Sequence, residues 1–195
     1  MKRLEEILQT LPELAKAFLT WMEFQKGASK ATVLAYGVDI LEFEQYLAQR
    51  GLSLDMPGEI TKKNVQGFAA ELFKHGIARS SVARKLSSLR SLFRYLLRLG
   101  KIESDPTSDV HNPKQIQRHP AMLNVDQMFA LLDSGEKKNL ADDQRFQNAI
   151  ALRDDALLEL LYGSGLRISE ALSLNVTDMQ HDMRHVIVMG KGEKQ

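Results

Sequence analysis

Apolar residues recurring three and four positions apart, punctuated by single glycines, constrain this chain more than any other feature. Leu11, Leu14, Phe18, Trp21 and Met22 follow that spacing and predict an amphipathic helix that Gly27 ends. Ser29 is placed to cap a second helix running to about Arg50, with Val33, Gly37, Ile40, Leu41 and Leu47 on its apolar face. Gly51 closes that helix, and Pro57-Gly58 supplies turn chemistry. Thr61 opens a third helix carrying Val65, Phe68, Leu72 and Phe73, which stops near Gly76. A fourth runs from Ser80 or Ser81 to Leu99, with Gly100 just past its end. Four such helices joined by short loops predict a helical bundle.

The fourth helix concentrates charge. Val82, Leu86, Leu89, Phe93, Leu96 and Leu97 share one face and must enter the core. Arg84, Arg90, Arg94 and Arg98 share the adjoining face, with Ser87 and Ser91 between them. From Ala78 to Lys101 the cations are Arg79, Arg84, Lys85, Arg90, Arg94, Arg98 and Lys101, and there is no Asp or Glu. The whole chain carries only +1, so its remaining residues are net negative. Like charges four apart oppose helix formation by a few tenths of a kcal/mol, about 0.2–0.5, per pair. A solvated basic face is the ordinary reading of such a helix. A run of mostly arginine, spaced by serine and free of acids, also suits a surface that tracks phosphates. The scarcity of interleaved aromatics favours contact with a duplex backbone over stacking on a single strand.

From Asp105-Pro106 to Pro120 the periodicity disappears among prolines and polar or basic residues, which predicts a linker over 105–120 between domains at 1–104 and 121–195. Asn124 and Gln127 form a capping box for a helix through Leu132. The polar stretch from Gly135 to Gln147 reads as loop or frayed helix, and a helix from about Asn148 follows. Its segment Ala156 to Leu161 is apolar on nearly every side, so burial is expected. Gly163 is placed to take a positive φ at its end. A short helix then carries Arg167 in its first turn, a cation where the helix dipole favours anions. An anion such as phosphate makes that placement sensible, and Glu170 on the same face can orient the guanidinium. His185 to Met189 is a β-rich apolar run ending at Gly190, a short strand leading to Lys191 between two glycines.

The run from Tyr162 to Leu172 resembles the first catalytic-arginine motif of the tyrosine site-specific recombinases, the lambda-integrase family. Val186-Ile187-Val188-Met189-Gly190-Lys191-Gly192 resembles that family's β-hairpin lysine motif. Both occur in the family's order and spacing, and the XerC-like subgroup is the nearest pattern over nearly the whole chain. The resemblance implies a mainly α fold: a four-helix, SAM-like core-binding bundle that grips duplex DNA, then the start of a mixed, mostly helical catalytic domain with a small β-hairpin. It implies site-specific recombination, in which a tyrosine attacks the scissile phosphate and forms a 3′-phosphotyrosyl link. Arg167 would stabilise the phosphate, Lys191 would protonate the leaving hydroxyl, and Glu170 would brace the arginine. DNA contacts fall on Arg84, Arg90, Arg94 and Arg98, and more loosely on Lys30, Thr32 and Tyr36. A related recombinase subunit is the expected partner, in a synaptic tetramer of the chromosome-dimer-resolution type, in the cytoplasm. The stretch around 135–147 is longer than the pattern expects. The family's His-x-x-Arg box and tyrosine nucleophile should follow Lys191, and the sequence given stops at Gln195, so a fragment that binds DNA without cleaving it is expected. A non-catalytic DNA-binding module and a phage or transposon integrase are the alternatives.

Other chemistries fit less well. Gly163-Ser164-Gly165 lacks the third glycine of a dinucleotide fingerprint, and Gly190-Lys191-Gly192 lacks the rest of a P-loop. His181 and His185 have no second ligand cluster, so neither metal nor cofactor is expected. The chain has no cysteine, and no apolar run approaches the roughly 20 residues of a membrane span.

Overall fold

A computed structural model describes residues 2–114, 122–132, 145–178 and 185–188. The helices in order are α1 (Lys2–Thr10), α2 (Glu13–Phe24), α3 (Lys30–Ala48), α4 (Lys62–Lys74), α5 (Arg79–Arg98), α6 (Val125–Leu132), α7 (Arg145–Ser164) and α8 (Ile168–Leu172). The chain divides into two units, 1–118 and 119–195.

In the first unit α3 and α5 form the centre, with α1 and α2 packed on α3 and α4 packed on α5. The expected helices are α2 to α5, and their punctuation follows physical rules. The Ser29 hydroxyl accepts from the Thr32 backbone N–H at 3.2 Å, so the N-cap of α3 is satisfied by its own side chain. Asn64 Oδ1 accepts from the Thr61 backbone N–H at 2.8 Å and anchors the start of α4. Gly27, Gly51, Gly76 and Gly100 all take φ between +62° and +73°, the left-handed conformation that lets a chain leave a helix cheaply.

Phe18, Phe43 and Phe93 are fully buried at the centre with Leu19, Ile40, Leu47 and Leu89. Phe43 meets Phe68 edge-on at 5.1 Å and Phe93 edge-on at 6.3 Å, so one ring ties α3 to α4 and α5. Each such side chain contributes about 1.5–3 kcal/mol by leaving water. Gly37 is buried on α3, where a Cβ would meet Ile7 Cγ2 at 3.3 Å and Leu19 Cδ1 at 3.4 Å. Its bareness lets α1 and α2 approach.

Two features of this unit depart from the sequence reading. Helix α1 adds a fifth helix, burying Ile7, and Leu11, expected within the following helix, is buried at the junction between the two. Helix α1 reads separately from α2 because Pro12 sits at the junction, where it has no N–H to continue a helix. The segment expected to begin a linker at 105 is packed instead. Ile102, Thr107 and Val110 are buried, and Asp105 Oδ1 accepts from the Thr107 backbone N–H at 2.8 Å and hydroxyl at 2.6 Å. Proline and polar composition hid this, because the segment is held by hydrogen bonds and isolated apolar contacts without any repeat.

In the second unit α6 and α8 pack on α7. The reciprocal cap is present as expected: the Gln127 N–H donates to Asn124 Oδ1 at 2.8 Å, and the Asn124 N–H donates to Gln127 Oε1 at 3.0 Å. The apolar segment 156–161 is not enclosed. Leu157, Leu158, Leu160 and Leu161 are half-buried and Ala156 is exposed, because among the described residues α6 and α8 cover only part of the circumference of α7. Of the expected strand, Val186 makes a single β-bridge position, and the Ile187 N–H donates to the Asp178 carbonyl at 3.0 Å. The hairpin, Met189 and Lys191 lie outside the described residues.

Candidate functional site

The Arg167 turn differs in detail from its sequence reading. Helix α7 runs through Gly163 to Ser164, and Gly165 is the residue that takes the positive φ, +65°. The Gly165 N–H donates back to the Leu161 carbonyl at 3.1 Å, which closes the helix two residues later than Gly163 would. Arg167 is then the N-cap of α8 in extended conformation, just before the helix, where the reading placed it in the first turn.

Glu170 holds Arg167 twice. The Arg167 backbone N–H donates to Glu170 Oε2 at 2.8 Å, and its guanidinium donates to Glu170 Oε1 at 2.7 Å. These contacts hold the Glu170 carboxyl below the usual carboxylate range: the backbone hydrogen bond first, then the side-chain one and the guanidinium charge. The Arg167 side chain remains 75% exposed while that of Glu170 is only 14% exposed. A cation is thus fixed in direction by a shielded carboxylate, with its other N–H groups turned to solvent. That arrangement can receive a bidentate oxyanion.

The basic face of α5 is divided by its neighbours. Arg84 donates to Asp39 Oδ2 on α3, and Lys85 Nζ reaches Asp39 Oδ1 at 3.3 Å and also bonds Glu42. Asp39 is fully buried and Lys85 nearly so, so Lys85 is not part of a solvated face. A buried carboxylate needs such partners, and these come from a helix some 45 residues away in sequence. Arg90 donates to the Val110 carbonyl at 2.7 Å and to Asn112 Oδ1 at 2.8 Å, while Arg79 donates to the Lys114 carbonyl at 3.3 Å. These two arginines hold the segment that leaves the bundle. Arg94 and Arg98 are exposed, and Arg94 makes no side-chain hydrogen bond or ion pair among the described residues. Arg98 lies over the Trp21 ring at 4.4 Å.

On α3, Lys30 is exposed at the first turn, the Thr32 hydroxyl lies 2.9 Å from that of Ser29, and Tyr36 is half-buried. Tyr36, Arg94 and Arg98 line one cavity. Trp21 and Lys26 join them there, and neither stood out in the sequence as a site residue, Trp21 being read only as part of an apolar face, because nothing local announces a contact between α2 and the end of α5.

Residues 15–100 match the family described as "Phage integrase, N-terminal SAM-like domain", and residues 122–195 match the "Phage integrase family". The chain belongs to the phage integrase family, the tyrosine recombinases. It is 35% identical over 183 residues to the tyrosine recombinase XerD of Listeria innocua serovar 6a, covering 94% of this chain and 58% of that protein. It is 36% identical over 188 residues to the tyrosine recombinase XerC of Myxococcus xanthus, covering 96% of this chain and 59% of that one. The chain therefore spans under two thirds of the length of these relatives. Its fold matches lambda integrase residues 75–356 in a dimer bound to a COC′ core site, with a TM-score of 0.66 at 16% identity over 92% of this chain and 57% of that one. It also matches the XerH site-specific recombinase bound to a palindromic difH substrate, with a TM-score of 0.61 at 18% identity over 92% of this chain and 51% of that one. Among the described residues no helix is long and apolar enough to cross a membrane.

Proposed function

We propose that this chain supplies the DNA grip and the first catalytic arginine of a site-specific tyrosine recombinase of the Xer type. The observation that carries the reading is Arg167: an exposed guanidinium at a helix start, held by Glu170, inside the segment that matches the phage integrase family. In the reaction Arg167 would hold the non-bridging oxygens of the scissile phosphate and stabilise the charge that develops on them. Glu170 is a positioning residue that fixes the guanidinium. Lys191 would donate the proton to the leaving hydroxyl.

In this proposal 1–104 is the core-binding domain, 121–195 belongs to the catalytic domain, and 105–120 connects them. Packing of Thr107 and Val110 on the bundle supports moving the true hinge past residue 110. Arg94 and Arg98 at one end of α5, with Lys30, Thr32 and Tyr36 on α3, would make the duplex contacts. Arg84 and Arg90 are already committed to Asp39 and to the exit segment, so their part is to shape the surface. The partners are duplex DNA and related recombinase subunits in a synaptic tetramer, and the setting is the cytoplasm, in chromosome-dimer resolution. No metal or cofactor is called on.

The nucleophile of this reaction is not supplied by the tyrosines in hand. Tyr46 and Tyr95 belong to the core, Tyr36 lies on the bundle, and Tyr162 precedes the Arg167 turn within α7. The 195 residues should bind DNA and form no covalent adduct. Binding is tested by anisotropy of a labelled duplex across a salt series, in which removing one phosphate-binding cation lowers the slope of log K against log salt by about one. Arg94→Ala and Arg98→Ala together should flatten the slope by about two, and Arg84→Ala and Arg90→Ala by less. An unchanged slope in the first pair removes the proposed grip. A tyrosine-dependent adduct on a nicked duplex would show that the nucleophile assignment is mistaken.

A further inference from the structure

The cavity between α2, α3 and α5 has a chemistry that a duplex backbone does not require. It is a groove, half open to solvent, of about 380 Å³, within the size range of small-ligand sites. Three cations line it, Lys26, Arg94 and Arg98, and no Asp or Glu does. Its apolar side is aromatic: Trp21, Tyr36 and Tyr95 arrive from three different helices. Arg98 lies 4.4 Å over the Trp21 ring and Lys26 lies 5.3 Å from it, so two cations are held where the ring quadrupole attracts them. Tyr95 packs on Trp21 at 5.1 Å and on Phe18 at 5.5 Å, which fixes the aromatic wall to the core. Trp21 and Tyr36 keep part of their rings exposed, and Arg94 is exposed without a side-chain partner among the described residues.

An inorganic anion would use the cations and leave the aromatic wall wet. A purely apolar ligand would bury three uncompensated charges at a cost of several kcal/mol, on the order of the penalty for an unpaired ion. A ligand with a flat ring and a phosphate meets both requirements at once. We propose that this cavity is a nucleotide site: the ring of a base packs beside Tyr36 on the outer face of the Arg98 guanidinium that covers Trp21, and its phosphate is bound by Arg94 and Lys26. Two sources carry this chemistry, a free mononucleotide and an unpaired nucleotide of a DNA strand. A paired base in a duplex keeps its faces stacked on its neighbours and cannot enter. The site goes beyond duplex binding, and because it shares Arg94, Arg98 and Tyr36 with the proposed duplex contacts, a bound duplex and a bound nucleotide would compete for them.

Trp21 is the only tryptophan in the chain, so its fluorescence reports on the site directly. The 195-residue chain is titrated with dTMP, thymidine, inorganic phosphate, a short oligothymidylate, and a blunt duplex of mixed sequence, with excitation above the nucleotide absorption. Saturable quenching by dTMP, or by the oligothymidylate alone, is expected, and the choice between them identifies the source as free or strand-borne. Phosphate and thymidine should each bind at least about tenfold more weakly than dTMP, or than the oligothymidylate if only the strand binds, because each supplies half of the contacts. Arg94→Ala and Lys26→Ala, both at exposed positions, should each weaken binding about tenfold without changing the helical circular dichroism. Response to phosphate as strong as to dTMP or the strand, response to the duplex alone, or no response at all would overturn the proposal. Loss of duplex binding in the salt-series assay, with dTMP quenching retained, would count against the grip and leave this site standing.

Discussion

Asp39→Asn tests the structural centre of the first unit. The wild-type carboxylate is fully buried and receives Arg84 and Lys85, and Lys85 also bonds Glu42. The amide keeps the volume of the side chain and removes its charge. Breaking a buried pair by deleting one partner costs about 3–5 kcal/mol, since the other charge stays buried without compensation. Here the lower end applies. Arg84 is 47% exposed and can turn to water, and Lys85 keeps Glu42, itself 38% exposed. We expect destabilisation by about 3 kcal/mol, equivalent to a fall of roughly 12 °C in Tm for a unit of this size at about 4 °C per kcal/mol. Urea unfolding of the 195-residue chain, followed by Trp21 fluorescence, reads this unit alone, because the single tryptophan lies in α2. Adding Lys85→Met to Asp39→Asn should recover about 1–2 kcal/mol by removing a buried ammonium left with only one of its two carboxylates. Destabilisation below about 1 kcal/mol in the single variant, or no recovery in the double, would refute the claim that this charge cluster ties α3 to α5.

Three further outcomes are expected. Gly67→Ala should destabilise the first unit by about 1–3 kcal/mol in the same assay, because a Cβ there overlaps the Tyr46 hydroxyl and Tyr46 is held by Phe43, Phe68 and Arg50. Arg90→Ala should speed tryptic cleavage at Lys114 severalfold while the bundle core stays protected, since it removes the bonds to Val110 and Asn112. The carboxyl of Glu170 should titrate below that of glutamate in an unstructured peptide, as followed by NMR. Its folded value is depressed, so the cap on Arg167 is fully present above the ordinary glutamate value and disappears as pH falls through the lowered one. Glu170→Gln should abolish that acid transition.

The outline of the bundle was legible because helix signals are local. The apolar spacing around Phe18, Ile40, Phe68 and Leu89 found the core, and Ser29, Thr61 and the four glycines marked the ends of helices. The Arg167–Glu170 contact was legible for the same reason, since three residues along a helix start are neighbours. One local signal was passed over and one was misread. The leucine and isoleucine spacing before Pro12 was a helix, and Gly165 outcompeted Gly163 for the turn because a glycine can also remain inside a helix when the next one supplies the positive φ.

By itself the sequence determined which segments are helical, where they stop, and that arginines line one side of α5. Those properties depend on backbone preferences and on side chains a few residues apart. Which of those arginines are free was decided only by the tertiary structure. Asp39 on α3 and the Val110 carbonyl of the exit segment engage Arg84 and Arg90, and packing of α2 against α5 brings Trp21 and Lys26 to Arg94 and Arg98. The partners lie far apart in the chain, and a charge carries no local mark of the carboxylate, carbonyl or ring that will meet it after folding.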